Sequence, residues 1–180
     1  MLKVITVPNP LLRQKSKKVG KIDKKIPKLI KDLEKTATKK EGLRGVGLSA
    51  VQVGIPKRVF IAYSEKSRKF LAFVNPEIVW QSKRMLLGIP RPNKLEGCLS
   101  VPGIWGLVKR HQAIKVRYLT PAGKNMVRKF SGFMGIIVQH EFDHIQGILF
   151  VDRVLKQKGK LYELKKDQEG KETLEEVSLT

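Results

Sequence analysis

Ser131-Gly-Phe-Met-Gly-Ile-Ile-Val-Gln-His-Glu-Phe-Asp-His-Ile-Gln-Gly147 is the stretch on which the reading of this chain turns. Phe133, Ile136, Ile137, His140, His144 and Ile145 recur at three- and four-residue intervals, the spacing of one helical face. Ser131 is placed to cap that helix and Gly147 to stop it. On such a helix His140 and His144 stand one turn apart on the same side, so both imidazoles reach one metal ion, with Glu141 close to any water the ion carries. Two ligands do not complete a catalytic site, which needs a third and an open position. Cys98 is the one cysteine of the chain and stands in Glu96-Gly-Cys-Leu-Ser100, where Gly97 lets the backbone come close to an ion. The competing reading is a small packing residue, since lone buried cysteines commonly play that part. His111, beside Arg110, reads as a strand or surface histidine and stays outside the site.

Before this helix the period changes to that of strands. Val108 to Leu119 alternates, Thr120-Pro-Ala-Gly123 reads as a turn, and Asn125 to Phe130 returns antiparallel. Arg58 to Tyr63 and Lys69 to Val74 predict a hairpin around Ser64 to Ser67, with Pro76 ending its second strand and Ile78-Val-Trp80 opening another. Gln81 to Lys94, with Pro90 and Pro92, reads as an exposed excursion. Gly42, Gly45 and Gly47 mark a loop that leads into Gly47-Leu-Ser-Ala-Val-Gln-Val-Gly54. Ile22, Ile26, Leu29, Ile30 and Leu33 predict an amphipathic helix from 22 to about 40. Val4 to Val7 predicts a short strand stopped by Pro8. The charged tail, residues 156–180, is expected to hold at most a short helix. A helix, then antiparallel strands, then a helix gives an α+β fold, with antiparallel sheets packed around a central metal-binding helix.

Composition bounds the rest. A chain of 180 residues, 41% hydrophobic and 29% charged, fits one folded domain and excludes wholesale disorder and fibrous classes. The net charge of +21 favours anionic partners. Ten of the 37 basic residues are arginine and the rest lysine, a mix suited to diffuse attraction, so no sequence-specific nucleic acid is expected. A single cysteine makes no internal disulfide and fits a reducing compartment. The start lacks a signal-like apolar core and no run is long enough to span a bilayer, so the expected location is cytoplasmic with no membrane partner.

Three stretches together resemble the signature motifs of the peptide deformylases, in that family's order. They are Gly45-Val-Gly-Leu-Ser-Ala-Val-Gln52, Glu96-Gly-Cys-Leu-Ser100 and Gln139-His-Glu-Phe-Asp-His144. Agreement extends through Asn75-Pro76, Val101-Pro-Gly103, Arg110 and Leu149-Phe-Val-Asp152, so the resemblance covers roughly residues 1–155, a single catalytic domain. It implies that Cys98, His140 and His144 bind a metal with water as fourth ligand. The ligand types alone suggest zinc; the resemblance implies Fe2+, with Zn2+, Ni2+ or Co2+ able to substitute. It also implies that Glu141 acts as general base and then general acid, while the Gln52 side chain and the Leu99 backbone N–H stabilise the oxyanion. The implied reaction is hydrolysis of the N-formyl group from the formyl-methionine of newly synthesised proteins, releasing formate.

By the same resemblance Gly47 pairs its backbone with extended substrate, and Val46, Phe133, Ile136 and Ile137 line the methionine pocket. Ordinary core packing is the competing reading for those four. Glu96 and Arg110 are expected to form a supporting ion pair, against a plain surface role. Ser49 departs from the family's usual alanine, a small-for-small change that adds a hydroxyl. The implied partners are N-formyl-Met nascent polypeptides and, through the basic surface, the ribosome; a lysine-rich source proteome would explain the charge equally well. Two rival functions stand beside this one: a metal-dependent endoprotease, and a non-enzymatic basic module that binds RNA or the ribosome.

Overall fold

Ile26, Leu29, Ile30 and Leu33 share one face of α1 (Lys25–Ala37), and that face is buried while the lysines between them stay exposed. The computed structural model describes residues 2–38, 45–90, 94–166 and 172–177, so Gly42 and Pro92 fall outside it. The helix starts later than the periodicity suggests because Asp23, just ahead of it, forms a turn in which a side-chain oxygen accepts the Lys25 N–H at 2.9 Å.

Next come β1 (Gly47–Ser49), a 3₁₀ turn (Ala50–Val53), β2 (Val59–Ser64), β3 (Lys69–Gln81) and β4 (Met85–Leu87). They are followed by β5 (Glu96–Cys98), β6 (Val101–Gly106), β7 (Lys109–His111), β8 (Ala113–Leu119) and β9 (Asn125–Ser131). The chain then forms α2 (Gly132–Ile145), α3 (Phe150–Lys156), β10 (Leu161–Lys166) and β11 (Glu172–Glu176). One sheet has the order β1-β2-β3-β8-β9, a second β11-β10-β6-β5, and β4 pairs with β7. Among the described residues every ladder between these strands is antiparallel, which gives the expected α+β class.

The five-stranded sheet is covered differently on its two faces. Leu48, Val59, Ile61 and Val74 meet α1 on one side. Phe60, Phe73, Ile114, Val116 and Phe130 meet Ile137, Val138 and Ile145 of α2 on the other. Ring stacking knits that second face, with Phe60 and Phe73 centroids 4.7 Å apart. A third cluster joins Leu12 and Val101 to Leu149, Phe150 and Val154, tying α3 to the smaller sheet that carries Cys98.

Five local expectations are corrected. Val4 to Val7 is not a strand: Ile5 N–H donates to Gln52 O and Val7 N–H to Ser100 O, so its bonds go to two separate loops and no ladder forms. Pro76 does not end β3, because the register shifts between Val74 and Glu77 and the resulting bulge accommodates a residue without an N–H. Part of the Gln81 to Lys94 excursion is β4, paired with β7, and the strand expected from Val108 to Leu119 is broken at Gln112 into β7 and β8. The tail forms a β-hairpin rather than a helix, because the β6 edge is open and Leu161 and Tyr162 pair with Gly106 and Trp105.

Candidate metal centre

His140 and His144 stand one turn apart on α2, facing Cys98 at the end of β5. The ligating atoms of the three lie within 4.8 Å of one another, and His144 Nε2 is 3.2 Å from Cys98 Sγ. Bond lengths of about 2.3 Å to thiolate and about 2.0–2.1 Å to imidazole put tetrahedral donors roughly 3.5 Å apart, so small adjustments close this set on an ion. His140 Nδ1 lies 3.1 Å from Glu96 Oε2, which orients the ring and leaves Nε2 for the cluster. One thiolate and two imidazoles suit a divalent transition metal.

Burial sets the electrostatics. Burial pushes the Glu141 carboxyl up to about 7, against the opposing pull of His140, the Ser49 hydrogen bond and Arg110. Burial also pushes Glu96 up, but the Arg110 charge and hydrogen bonds from His140 and Arg110 outweigh it and hold Glu96 down at about 2. His144 lies well below its ordinary value, through burial and then the positive charges of His140 and Arg110, so it is the neutral form that ligates metals. For His140, burial works downward, yet hydrogen bonds to Cys98 and Glu96 carry it well above the ordinary value.

Behind the cluster lies a buried charge network. Arg110 donates from Nε to Glu96 Oε1 at 2.6 Å, from Nη2 to Oε2 at 2.9 Å and from Nη1 to Asp143 Oδ2 at 2.9 Å. Arg153 of α3 holds Asp143 from outside, its Nη2 2.5 Å from Oδ1. The expected Glu96–Arg110 pair is therefore present and fully buried, at 4% side-chain exposure for each partner.

Strand alternation aims Gly47 and Ser49 of β1 at Glu141 while Leu48 points into the core. Ser49 Oγ lies 2.8 Å from Glu141 Oε2. A Cβ on residue 47 would sit 2.4 Å from Glu141 Oε1, so glycine makes room for the carboxylate. Gln52 accepts the Ser49 N–H at 2.8 Å through Oε1, and its Nε2 donates to Ser100 Oγ at 3.1 Å beside Cys98. A cleft of about 190 Å³ opens over the cluster. Gln52, Cys98, Leu99, His140 and Glu141 line it, as do Val46, Gly47, Phe133, Ile136 and Ile137.

All the site residues expected from the sequence thus gather at this cleft or, as with His144 and Arg110, directly behind it. A family model described as polypeptide deformylase matches residues 1–160. The chain belongs to the peptide deformylase family. It is 42% identical over 163 residues to peptide deformylase 2 of a Nostoc species, with 86% of each chain covered. The solved deformylase of Thermotoga maritima is 33% identical with a TM-score of 0.76, covering 85% of this chain and 97% of that one. A probable deformylase from Synechococcus phage S-SSM7 is 38% identical with a TM-score of 0.76, covering 85% and 99%. Family membership makes the chain a metal-dependent hydrolase that removes N-formyl groups from nascent proteins.

Several parts of this deformylase site escaped the sequence reading. Ile89, Leu95 and Trp105 line the cleft, and Trp105 packs so closely on Gly97 that a Cβ there would lie 2.6 Å from its ring. Asp143 sat in plain view between the two histidines, but its place in the network depends on Arg110 and Arg153, which no spacing rule connects to it. The partner of the Ser49 hydroxyl lies 92 residues away.

Proposed function

We propose that the cleft removes formyl from N-formyl-methionine at the start of a nascent chain, with Cys98, His140 and His144 holding Fe2+, for which Zn2+, Ni2+ or Co2+ can substitute. The observation that carries the reading is the convergence of three ligand atoms within 4.8 Å with a buried carboxylate and a carboxamide on the same cleft wall. Such an ion, when bound, lowers the pKa of a water and polarises the formyl carbonyl. Glu141 takes the proton from the attacking water and returns it to the leaving amine; its Oε1 is the free acceptor, since Ser49 engages Oε2. Gln52 Nε2 and the Leu99 N–H donate to the oxyanion that develops on the formyl oxygen. Phe133, Ile136 and Ile137, with Val46 at the rim, hold the methionine thioether, and Ile89 and Leu95 extend that apolar wall. β1 is a sheet edge, so the Gly47 backbone pairs with the extended peptide, giving affinity without reading sequence. Glu96 and Arg110 position His140. The charge of +21 draws the enzyme, in the cytoplasm, to the ribosome, where formylated chains emerge.

The test is formate release from a formyl-Met peptide by metal-loaded protein, beside Glu141→Ala, an unformylated peptide and metal analysis. One ion per chain in both proteins, with release only from the formylated peptide and far slower in Glu141→Ala than in the unaltered enzyme, supports the reading. Full activity in Glu141→Ala, or cleavage of an internal bond in the unformylated peptide, overturns it.

A further inference from the structure

A row of three side chains crosses the outer face of the five-stranded sheet. Register aligns Trp80 of β3 with Lys115 of β8, and Lys115 with Lys129 of β9. Ile114, Val116 and Phe130 point into the core against α2, so Lys115 and Lys129 point the opposite way. On that outer face α1 packs over Leu48, Val59, Ile61 and Val74, away from the row. Trp80 is 44% exposed, and both lysines are exposed beside it. The Nζ atoms of Lys115 and Lys129 each lie 5.8 Å from the centre of the indole.

Two features separate this row from an incidental surface tryptophan. The ladder shifts register between Ile78 and Trp80, which leaves Val79 as an extra residue. Without that bulge Trp80 would fall opposite Ile114 and face the core; the bulge re-aims the ring outward. The second feature is like charge held together. Lys115 and Lys129 are direct cross-strand neighbours, a pairing that destabilises a sheet, and among the described residues no ion pair reaches either. Glu77 in the adjacent row is bracketed by Lys18 at 3.2 Å and Arg117 at 3.6 Å.

We infer that this row docks single-stranded RNA, with a base stacked on Trp80 and the flanking phosphates on Lys115 and Lys129. Charge selects a polyanion, and the predominance of lysine suits backbone contacts over base reading. The indole selects a single strand, because only an unpaired base offers its face. Cation–π attraction at an exposed ring is weak, so both ammonium groups leave the ring for phosphates when a base arrives. Lys115 and Lys129 lie on the sheet face opposite α2, and neither they nor Trp80 lines the cleft over the metal cluster, so RNA and peptide are held without competition. The inference deepens the ribosome reading above and rests on it only for where such RNA is met.

The experiment is fluorescence anisotropy of a labelled single-stranded RNA of about 12 nucleotides with the metal-loaded enzyme, titrated from about 50 to 200 mM salt. Trp80→Ala is expected to weaken binding roughly 5- to 100-fold with an unchanged salt slope, and Trp80→Phe to fall between. Lys115→Glu/Lys129→Glu should weaken it by at least about tenfold and lower the salt slope by about 1.4, at about 0.7 per phosphate contact. Lys156→Glu/Lys158→Glu, the same charge change at the end of α3 and just beyond it, should stay within about twofold. The inference is overturned if the RNA does not bind, if the α3 variant loses as much as the sheet variant, if Trp80→Ala binds normally, or if duplex RNA binds equally well. Formate release is measured on the same samples. RNA binding without formate release sinks the deformylation reading alone, and formate release without RNA binding sinks this one alone.

Discussion

Gly47→Ala adds one methyl group at the point where β1 passes the Glu141 carboxylate. Its backbone is outside the left-handed region, so alanine meets no conformational penalty and the effect is steric. The new Cβ would lie 2.4 Å from Glu141 Oε1 and 2.9 Å from both Cδ and Cγ. Ordinary carbon–oxygen contact needs about 3.4 Å, so the carboxylate must withdraw by about 1 Å. Glu141 is 3% exposed and its other oxygen is engaged by Ser49 at 2.8 Å, which leaves no easy direction of escape. A displacement of that size at a reacting group costs about 100-fold, or about 2.7 kcal/mol in the barrier. Steady-state formate release should show the loss in kcat, with metal content unchanged because no ligand is touched. In a Glu141→Ala background the same methyl meets no carboxylate and should add less than about threefold. Activity of Gly47→Ala within about threefold of the unaltered enzyme, or a full additional loss in the double variant, would refute the steric argument.

Other expected outcomes follow from the same geometry. Ser49→Ala removes a donor that favours the charged form of Glu141, so the acidic limb of kcat/KM should move to higher pH by about one unit; a limb that stays put or moves down contradicts the bond. In the metal-free protein Glu96 stays ionised to about pH 2, whereas the unfolded chain takes up that proton near 4.5. Its stabilisation is therefore complete above 4.5 and disappears as pH falls through 2, a loss of about 3 kcal/mol that the Glu96→Gln variant cannot show; parallel urea stabilities of the two proteins across that window would count against it. Arg110→Met leaves buried Glu96 without its guanidinium partner and Asp143 with Arg153 alone, and should cost roughly 3–5 kcal/mol in urea unfolding and weaken metal binding about 10- to 100-fold by competition titration. The iron form should lose activity in air faster than the nickel form, through oxidation around the Cys98 thiolate; equal half-lives exclude that route.

The helix that carries the histidines was legible because its evidence is local. Four residues make about one turn, so His140 and His144 share a face whatever else the chain does. The β2–β3 hairpin and the Thr120–Gly123 turn were legible for the same reason, in alternation and turn residues. The expectations that failed were those decided by distant partners. The charged tail carries no helical apolar stripe, and its pairing was chosen by an open edge at Trp105 and Gly106 that lies more than 50 residues earlier. Pro76 looked like a stop, yet its strand continues because a bulge absorbs it. Ile89, Leu95 and Trp105 carry no mark of the cleft they line, since an apolar residue in a core and one in a substrate pocket look alike along the chain.

The sequence by itself determined the donor types, their division between one helix and one glycine-flanked strand, and the family, because these depend on residue identity and short-range periodicity. Only the tertiary structure decided that Cys98 meets a histidine 46 positions away, that burial raises Glu141 while Arg110 lowers Glu96, and that Trp80 faces outward beside two lysines. Those outcomes hang on pairings between distant strands, where one extra residue turns a side chain from one face of a sheet to the other, and on the exclusion of water from charges that the folded chain brings together.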